Sequence, residues 1–311
     1  MTPASRPFGG ALQVAVRALA RDALAVGVKG TLPTNQQYLE QLGLGAATIQ
    51  RALEELRHRR ALRTRSRGHL GRVVMAVDLA AAWRTGGLPP LRLALPPAGP
   101  VETEALHDVL AEALAAVGIA HHSHTVRGGL RRLDLVSQGE ADLTVVPNGV
   151  LTARPPSGLL VRRLGVGTYY GRDRVQVVTR RDDAAPPRRI ADDRDVVSHH
   201  RMTLGEFPGE GGYLYVQIPV PRIPAAVLQG EADAGLWHLS PSVVPLARAG
   251  LLLRPLQTAA GHAAWEAVSE AVLVASPGRP ELRAVLGGLD LSPLAARQAA
   301  AIRRDDGLLP A

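Results

Sequence analysis

The pentapeptide Gln-Gly-Glu-Ala-Asp occurs twice, as VSQGEADLTVV at 136–146 and as VLQGEADAGLW at 227–237, 91 positions apart. Each copy follows apolar residues and precedes a short apolar run. Glycine at 139 or 230 adopts without steric cost the left-handed conformation that closes a helix, Ala and Asp make a short connection, and the following run has the length of a buried strand. Both copies are therefore expected to be helix-to-strand junctions, with Glu140 and Glu231 in solvent and Asp142 and Asp233 holding the start of the strand. Two equivalent junctions predict two βα lobes. In open α/β sheets ligands lie beyond the carboxyl ends of the strands, so binding residues are expected a few positions past these junctions or opposite them.

A chain of 311 residues with 46% hydrophobic residues has the material for two or three domains and no disorder signature. It contains no cysteine, which removes disulfides, thiolate metal sites and cysteine nucleophiles. Arg17, Arg21 and Asp22 interrupt the first apolar segment, and no apolar run of about 18 residues occurs, so a cytoplasmic protein without a membrane partner is expected. Charge is distributed unevenly. Residues 1–75 hold 12 Lys and Arg against 4 Asp and Glu, whereas residues 76–311 hold 24 of each. A basic segment of this kind is the footprint of a polyanion, because neutralising phosphates releases condensed counterions.

The basic segment has an order that fits one small fold. Leu12, Val16, Leu19, Ala23 and Val26 recur at helical spacing, and Gly27 and Gly30 end that helix. In LPTNQQYLEQLGLG, Thr34 caps a short second helix with Gln37 as its reciprocal partner, and Gly43 stops it. Residues 46–60 form a third helix, with Ile49, Ala52, Leu53 and Leu56 on one stripe and Thr48, Gln50 and Arg51 facing away. The stretch ALRTRSRGHLGRVVMAV at 61–77 then reads as two strands around a glycine turn. Helix, helix, turn, helix and basic hairpin is the winged helix-turn-helix order, whose third helix enters the major groove. Thr48, Gln50 and Arg51 are candidates for base edges, and Arg63, Arg65, Arg67 and Arg72 for phosphates, with His69 in the wing and Thr34, Asn35 and Gln36 at the second helix as further DNA contacts. The expected macromolecular partner is a double-stranded DNA operator, bound by a homodimer.

The stretch GTLPTNQQYLEQLGLGAATIQRALEELRHRRAL resembles the N-terminal reader of GntR-type bacterial repressors, whose pattern runs G-x-LP-S, a short helix, a turn, then T-V/I-x-x-AL-x-x-L. RGHLG in the hairpin, the helical segment containing Trp83, and RGGLRRLDLVSQGEADLTVV at 127–146 narrow the resemblance to YhfZ-type regulators, over most of the chain. Two positions depart from the GntR pattern: Thr34 stands where serine is common, and Ala46-Ala47 where a Ser-Arg pair is common, so base readout by that pair does not carry over. The resemblance implies a C-terminal part similar to periplasmic-binding-protein-like effector domains. The expected fold class is thus α/β: a winged helix-turn-helix over 1–77, a linker over 78–90, and a two-lobed type II binding-protein-like domain over 91–311. Lobe I is expected at about 91–170 and 240–311, and lobe II at about 171–239.

Within the C-terminal part, strand ends and helix starts place the candidate ligand residues at Glu102, Thr103, Arg127, Gly128, Gly129, Asn148 (after Pro147), Thr168, Tyr169, Tyr170, Ser198, His199, Trp237 and His238. Exposed amides at helix starts and the Arg127 cation favour a small anion, a carboxylate or phosphate ester. No metal is expected, because only His122 and His124 of HHSH share a strand face without an acidic partner nearby. No cofactor is expected either: P-loop, dinucleotide and nucleophile-elbow motifs are missing, and the one lysine, Lys29, lies in the basic segment, where no pyridoxal-phosphate Schiff base can form. Two functions of different class follow. The first is a ligand-responsive regulator, a repressor and not an enzyme; the alternative is a metabolic enzyme on a binding-protein-like fold with an autoregulatory N-terminus.

Overall fold

The computed structural model describes residues 10–68, 71–182, 185–241 and 246–306, and the chain divides into two units. One takes residues up to Arg92 with 112–122 and 275–289; the other takes 93–111, 123–274 and 290–311. His69, a candidate DNA contact, lies outside the described residues.

In the first unit, helix α1 (Gly10–Val26) buries Ala15, Val16, Leu19, Ala20, Ala23 and Leu24, while Val26 turns outward. Gly30 closes the following turn, where a Cβ would lie 2.4 Å from the Val26 carbonyl oxygen. Strand β1 (Thr31–Leu32) leads to helix α2 (Asn35–Leu42), whose capping box is formed as the spacing predicts: Gln37 N donates to Thr34 Oγ1 at 3.3 Å, and Thr34 N to Gln37 Oε1 at 2.8 Å. Helix α3 (Ala46–His58) buries Ile49, Ala52, Leu53 and Leu56 and ends earlier than residue 60, because Arg60 takes φ 56°. Strands β2 (Leu62–Ser66) and β3 (Arg72–Val77) pair antiparallel, with β1 on the far side of β3.

Tyr38 of α2 reaches back to α1, where its hydroxyl donates to Asp22 Oδ2 at 2.7 Å. Burial pushes the Asp22 carboxyl up, and the Tyr38 hydrogen bond opposes that rise. Tyr38→Phe is expected to lower stability by about 1–3 kcal/mol, the cost of a half-buried acceptor losing its donor. Urea unfolding at neutral pH checks this, and Asp22→Asn combined with Tyr38→Phe should recover part of the loss.

The segment 78–90, expected as a linker, is not a break in packing. Asp78 caps helix α4 (Leu79–Thr85) by accepting from Ala81 N at 2.7 Å, and Trp83 is buried. The Trp83 indole donates to the Pro89 carbonyl at 3.2 Å, and the Arg279 guanidinium lies 5.3 Å from its ring centroid. Helix α1 also packs against the later helix Leu282–Gly288 of the same unit. The buried Ala82 and Trp83 thus anchor this segment in the first unit.

Next come β4 (Leu91–Leu95), α5 (Val101–Ala116), β5 (His121–Thr125), α6 (Gly129–Ser137), β6 (Leu143–Pro147), α7 (Asn148–Ala153) and β7 (Leu160–Arg163). Then follow β8 (Val175–Arg180), β9 (Arg189–Asp192), α8 (Val197–Glu206), β10 (Leu214–Gln217), α9 (Ile223–Leu228), β11 (Ala234–His238) and β12 (Leu251–Pro255). The chain finishes with α10 (Ala259–Val268), β13 (Ala271–Ala275), α11 (Leu282–Gly288) and α12 (Leu294–Asp306). The strands make two five-stranded sheets, ordered β5-β4-β6-β13-β7 and β10-β9-β11-β8-β12. The protein is α/β with a mixed second sheet: β9 is parallel to β10 and β11, while β8 is antiparallel to β11 and β12. Among the described residues no helix is long and apolar enough to cross a membrane.

Both copies of the repeated pentapeptide are helix-to-strand junctions, joining α6 to β6 and α9 to β11, with Gly139 at φ 74° and Gly230 at φ 76°. Glu140 and Glu231 are exposed, and Asp142 is buried. Asp233 accepts from the amides of Arg188 and Arg189 at 3.1 and 2.8 Å and from the Arg189 guanidinium. Burial alone would raise its carboxyl; these donors outweigh that and hold it far below the usual carboxylate range.

One boundary expected from sequence is corrected. The second sheet does not end near residue 239, because β12 pairs antiparallel with β8 as its edge strand. Ser198 and His199 lie downstream of β9, in the first turn of helix α8.

Candidate functional site

Within the second unit, the carboxyl ends of β5, β6, β9 and β11 surround a cleft of about 330 Å3. Of the candidate ligand residues, Thr103, Arg127, Gly128, Gly129, Tyr169, Tyr170, Ser198, His199, Trp237 and His238 line it, as does Pro147. Glycines 128 and 129 open helix α6: Gly128 has φ 85°, and a Cβ on Gly129 would meet Val150 at 2.5 Å, so the backbone comes close to the cleft only without a side chain.

Three candidates lie elsewhere. Glu102 is fully buried and accepts from His238 Nε2 at 2.9 Å and Gly171 N at 3.1 Å, so it supports a cleft residue without reaching the cleft. Thr168 is used in a turn, donating to the Gly165 carbonyl and accepting from Ala271 N. Asn148 accepts from Arg163 Nη1 at 2.8 Å on the outer side of α7. Each follows a strand or starts a helix as expected, but its side chain points away from the strand-end face.

Hydrogen bonding decides what the lining residues can offer. His199 is fully engaged: Nε2 donates to the Leu236 carbonyl at 3.1 Å, and Nδ1 accepts from Asp193 N at 3.3 Å. Burial, the largest influence, pushes its pKa down, so the ring is neutral near pH 7 and presents only carbon to the cleft. Tyr170 stacks edge-on against Tyr169 at 4.8 Å and His238 at 5.0 Å, and burial raises its hydroxyl above the ordinary tyrosine range. Arg127 is ion-paired with Asp193, which is buried and also accepts from Val220 N at 2.8 Å.

Sequence reading missed Arg132, which lines the cleft at 1% exposure. Its guanidinium donates to the carbonyls of Val145 and Val126 at 3.0 and 2.8 Å and to the Tyr169 hydroxyl at 3.0 Å. One signal was available: Arg132 sits one helical turn from Val136 on the apolar face of α6, where a solvated arginine does not belong.

A second polar face lies in the first unit. A groove between α3 and the β2–β3 hairpin is lined by Gln50, Glu54, Arg57, Arg63, Thr64 and Arg72, among others. Arg72 Nη2 donates to Gln50 Oε1 at 2.9 Å, and Gln50 Nε2 donates to Glu54 Oε1 at 3.1 Å. Arg51, Arg63, Arg65 and Arg67 are exposed, and Thr48 is half-buried. At α2, Asn35 and Gln36 are exposed, whereas the Thr34 hydroxyl is occupied by its cap.

A family model for the YhfZ C-terminal domain matches residues 78–306. The chain belongs to the YhfZ family. The crystal structure of YhfZ from Shigella flexneri is 21% identical and superposes with a TM-score of 0.54, covering 70% of this chain and 91% of that one, which shows a shared fold. An alkanesulfonate-binding protein from Xanthomonas axonopodis pv. citri, bound to MOPS, is similar at 16% identity and TM-score 0.49, over 71% of this chain and 80% of that one. A variant of OxyR from Corynebacterium glutamicum aligns over 96% of both chains at 12% identity and TM-score 0.43. No curated relative matches the chain. All the residues that line the cleft fall inside the YhfZ-matched region, whereas helices α1 to α3 and the hairpin precede it.

Proposed function

We propose that this YhfZ-family chain is a ligand-responsive, DNA-binding transcription regulator, a repressor that acts by binding and not by catalysis. Its first three helices and hairpin serve as a winged helix-turn-helix over 1–77, with α3 in the major groove and β2–β3 as the wing. The region from 91 onward serves as a two-lobed, periplasmic-binding-protein-like effector domain whose cleft takes a small anionic metabolite. A cytoplasmic homodimer binds a palindromic operator, and the ligand shifts it between arrangements of different operator affinity.

The observation that carries this reading is the groove in which the exposed Gln50 of α3 meets Arg63 and Arg72 of the hairpin, within a segment holding all of the chain's excess positive charge. The test is a gel-shift titration against the DNA upstream of the protein's own gene, repeated with metabolites of neighbouring genes' pathways; absence of a specific shift, or of any effect of a cleft ligand on it, overturns the reading. Arg51→Ala is expected to reduce discrimination between operator and random DNA by about 1–3 kcal/mol. Arg65→Ala should weaken both alike and lower the salt slope by about one. Unchanged discrimination in Arg51→Ala removes α3 as the recognition helix.

A further inference from the structure

Resting on the reading of the cleft as a ligand site, we propose that its ligand carries a tetrahedral oxyanion, a phosphate monoester or a sulfonate, on an uncharged and mostly apolar body. The first ground is a buried cation without a carboxylate partner. Arg132 is 1% exposed, spends its donors on two carbonyls and the Tyr169 hydroxyl, and has no carboxylate partner among the described residues. A desolvated cation of this kind favours an anion beside it. No Asp or Glu lines the cleft among the described residues, so an amine-bearing ligand finds no partner there.

The second ground is the set of donors. Helices α6 and α8, of 9 and 10 residues, both open on the cleft, and no side chain caps either first turn. Ser198 is an independent sign of a ligand. It is 1% exposed and lines the cleft, and among the described residues its hydroxyl has no hydrogen-bond partner, since the neighbouring Tyr170 does not meet it in bonding geometry. A buried unpaired hydroxyl is costly, and a ligand oxygen that accepts its proton accounts for it. Arg127 adds a guanidinium held by Asp193 yet 42% exposed, so donors remain for a ligand.

These donors come from two directions: Arg127 and α6 stand beside the first sheet, Ser198 and α8 beside the second. Three tetrahedrally disposed oxygens can meet donors from both sides out of one plane, whereas a carboxylate accepts mainly within its own plane. The remaining walls, among them Tyr169, Trp237 and Met202, suit an apolar body.

The test is calorimetric titration of the full chain with phenyl phosphate, benzenesulfonate, benzoate and benzyl alcohol. Phenyl phosphate or benzenesulfonate should bind at least about tenfold more tightly than benzoate or benzyl alcohol, and whichever of the two binds better identifies the ligand's head group. Ser198→Ala and the more exposed Arg127→Gln should each weaken that binding by about tenfold or more while leaving benzyl alcohol unaffected. Benzoate or benzyl alcohol binding as well as the phosphate and sulfonate overturns the oxyanion inference and leaves the ligand-site reading standing. Binding by none of the probes overturns both. Full affinity for the oxyanion in both variants also overturns the inference.

Discussion

Arg132→Ala is expected to destabilise the protein by about 3–5 kcal/mol, the largest effect of any cleft substitution. Two losses combine. The arginine stem is packed among α6 and its neighbours, so truncation leaves a cavity, and the buried carbonyl of Val145 and the half-buried one of Val126 lose their donor. Arg132→Met separates them, because it keeps most of the volume and removes only the donors and the charge. That variant should lose about 1–3 kcal/mol, since relief of the buried charge offsets part of the lost hydrogen bonding. Urea unfolding of both variants measures the difference; equal losses would show that packing, not polar satisfaction, holds Arg132 in place. Both variants should also lose oxyanion binding.

Glu102→Gln is expected to cost about 1.5–3 kcal/mol at pH 7 and to flatten the acid side of the stability profile. Burial alone would push the Glu102 carboxyl up, but the His238 hydrogen bond and charge outweigh it, with Arg174 adding to them at 3.9 Å, and the folded-state pKa lies below its ordinary value. A carboxyl depressed on folding stabilises the native state above its unfolded pKa, near 4.3. That contribution disappears as pH falls through the lower folded value. Removing the charge should therefore narrow the gap between wild type and variant in acid. Denaturant titrations between about pH 3 and 7 test this. A constant gap across that range would mean that Glu102 acts through shape alone. Gly171 is a necessary companion, since a Cβ there would stand 2.7 Å from Glu102 Oε1.

Local signals carried far along this chain. The Thr34–Gln37 capping box, the left-handed Gly43, the buried stripe of α3 and both pentapeptide junctions were legible, because each depends on residues within a turn or two of one another. Most candidate ligand residues meet in one cleft for a similar reason: residues that end strands of a parallel arrangement share an edge. Glu102, Thr168 and Asn148 have the same chain position relative to their elements, but side-chain direction at a strand end was not readable from spacing.

Long-range partners were less accessible. Nothing near Leu251–Pro255 indicates that it pairs with Val175–Arg180, and the strand Thr31–Leu32 is too short for any periodicity to register. Trp83 marked a helix, but its burial follows from contacts with residues near 279, far along the chain.

By itself, the sequence determined the three helices and hairpin of the basic segment, the concentration of positive charge in the first quarter, and the two helix-to-strand junctions marked by the pentapeptides. These rest on short-range sterics, helix termination and charge counting, which need no knowledge of what packs against what. Only the tertiary structure decided that Arg127 is held by Asp193 and that, among the described residues, Arg132 lies buried without a carboxylate and the Ser198 hydroxyl without a partner. Those properties depend on desolvation and on hydrogen-bond geometry between residues tens of positions apart. They exist only once the sheets have brought their strand ends together.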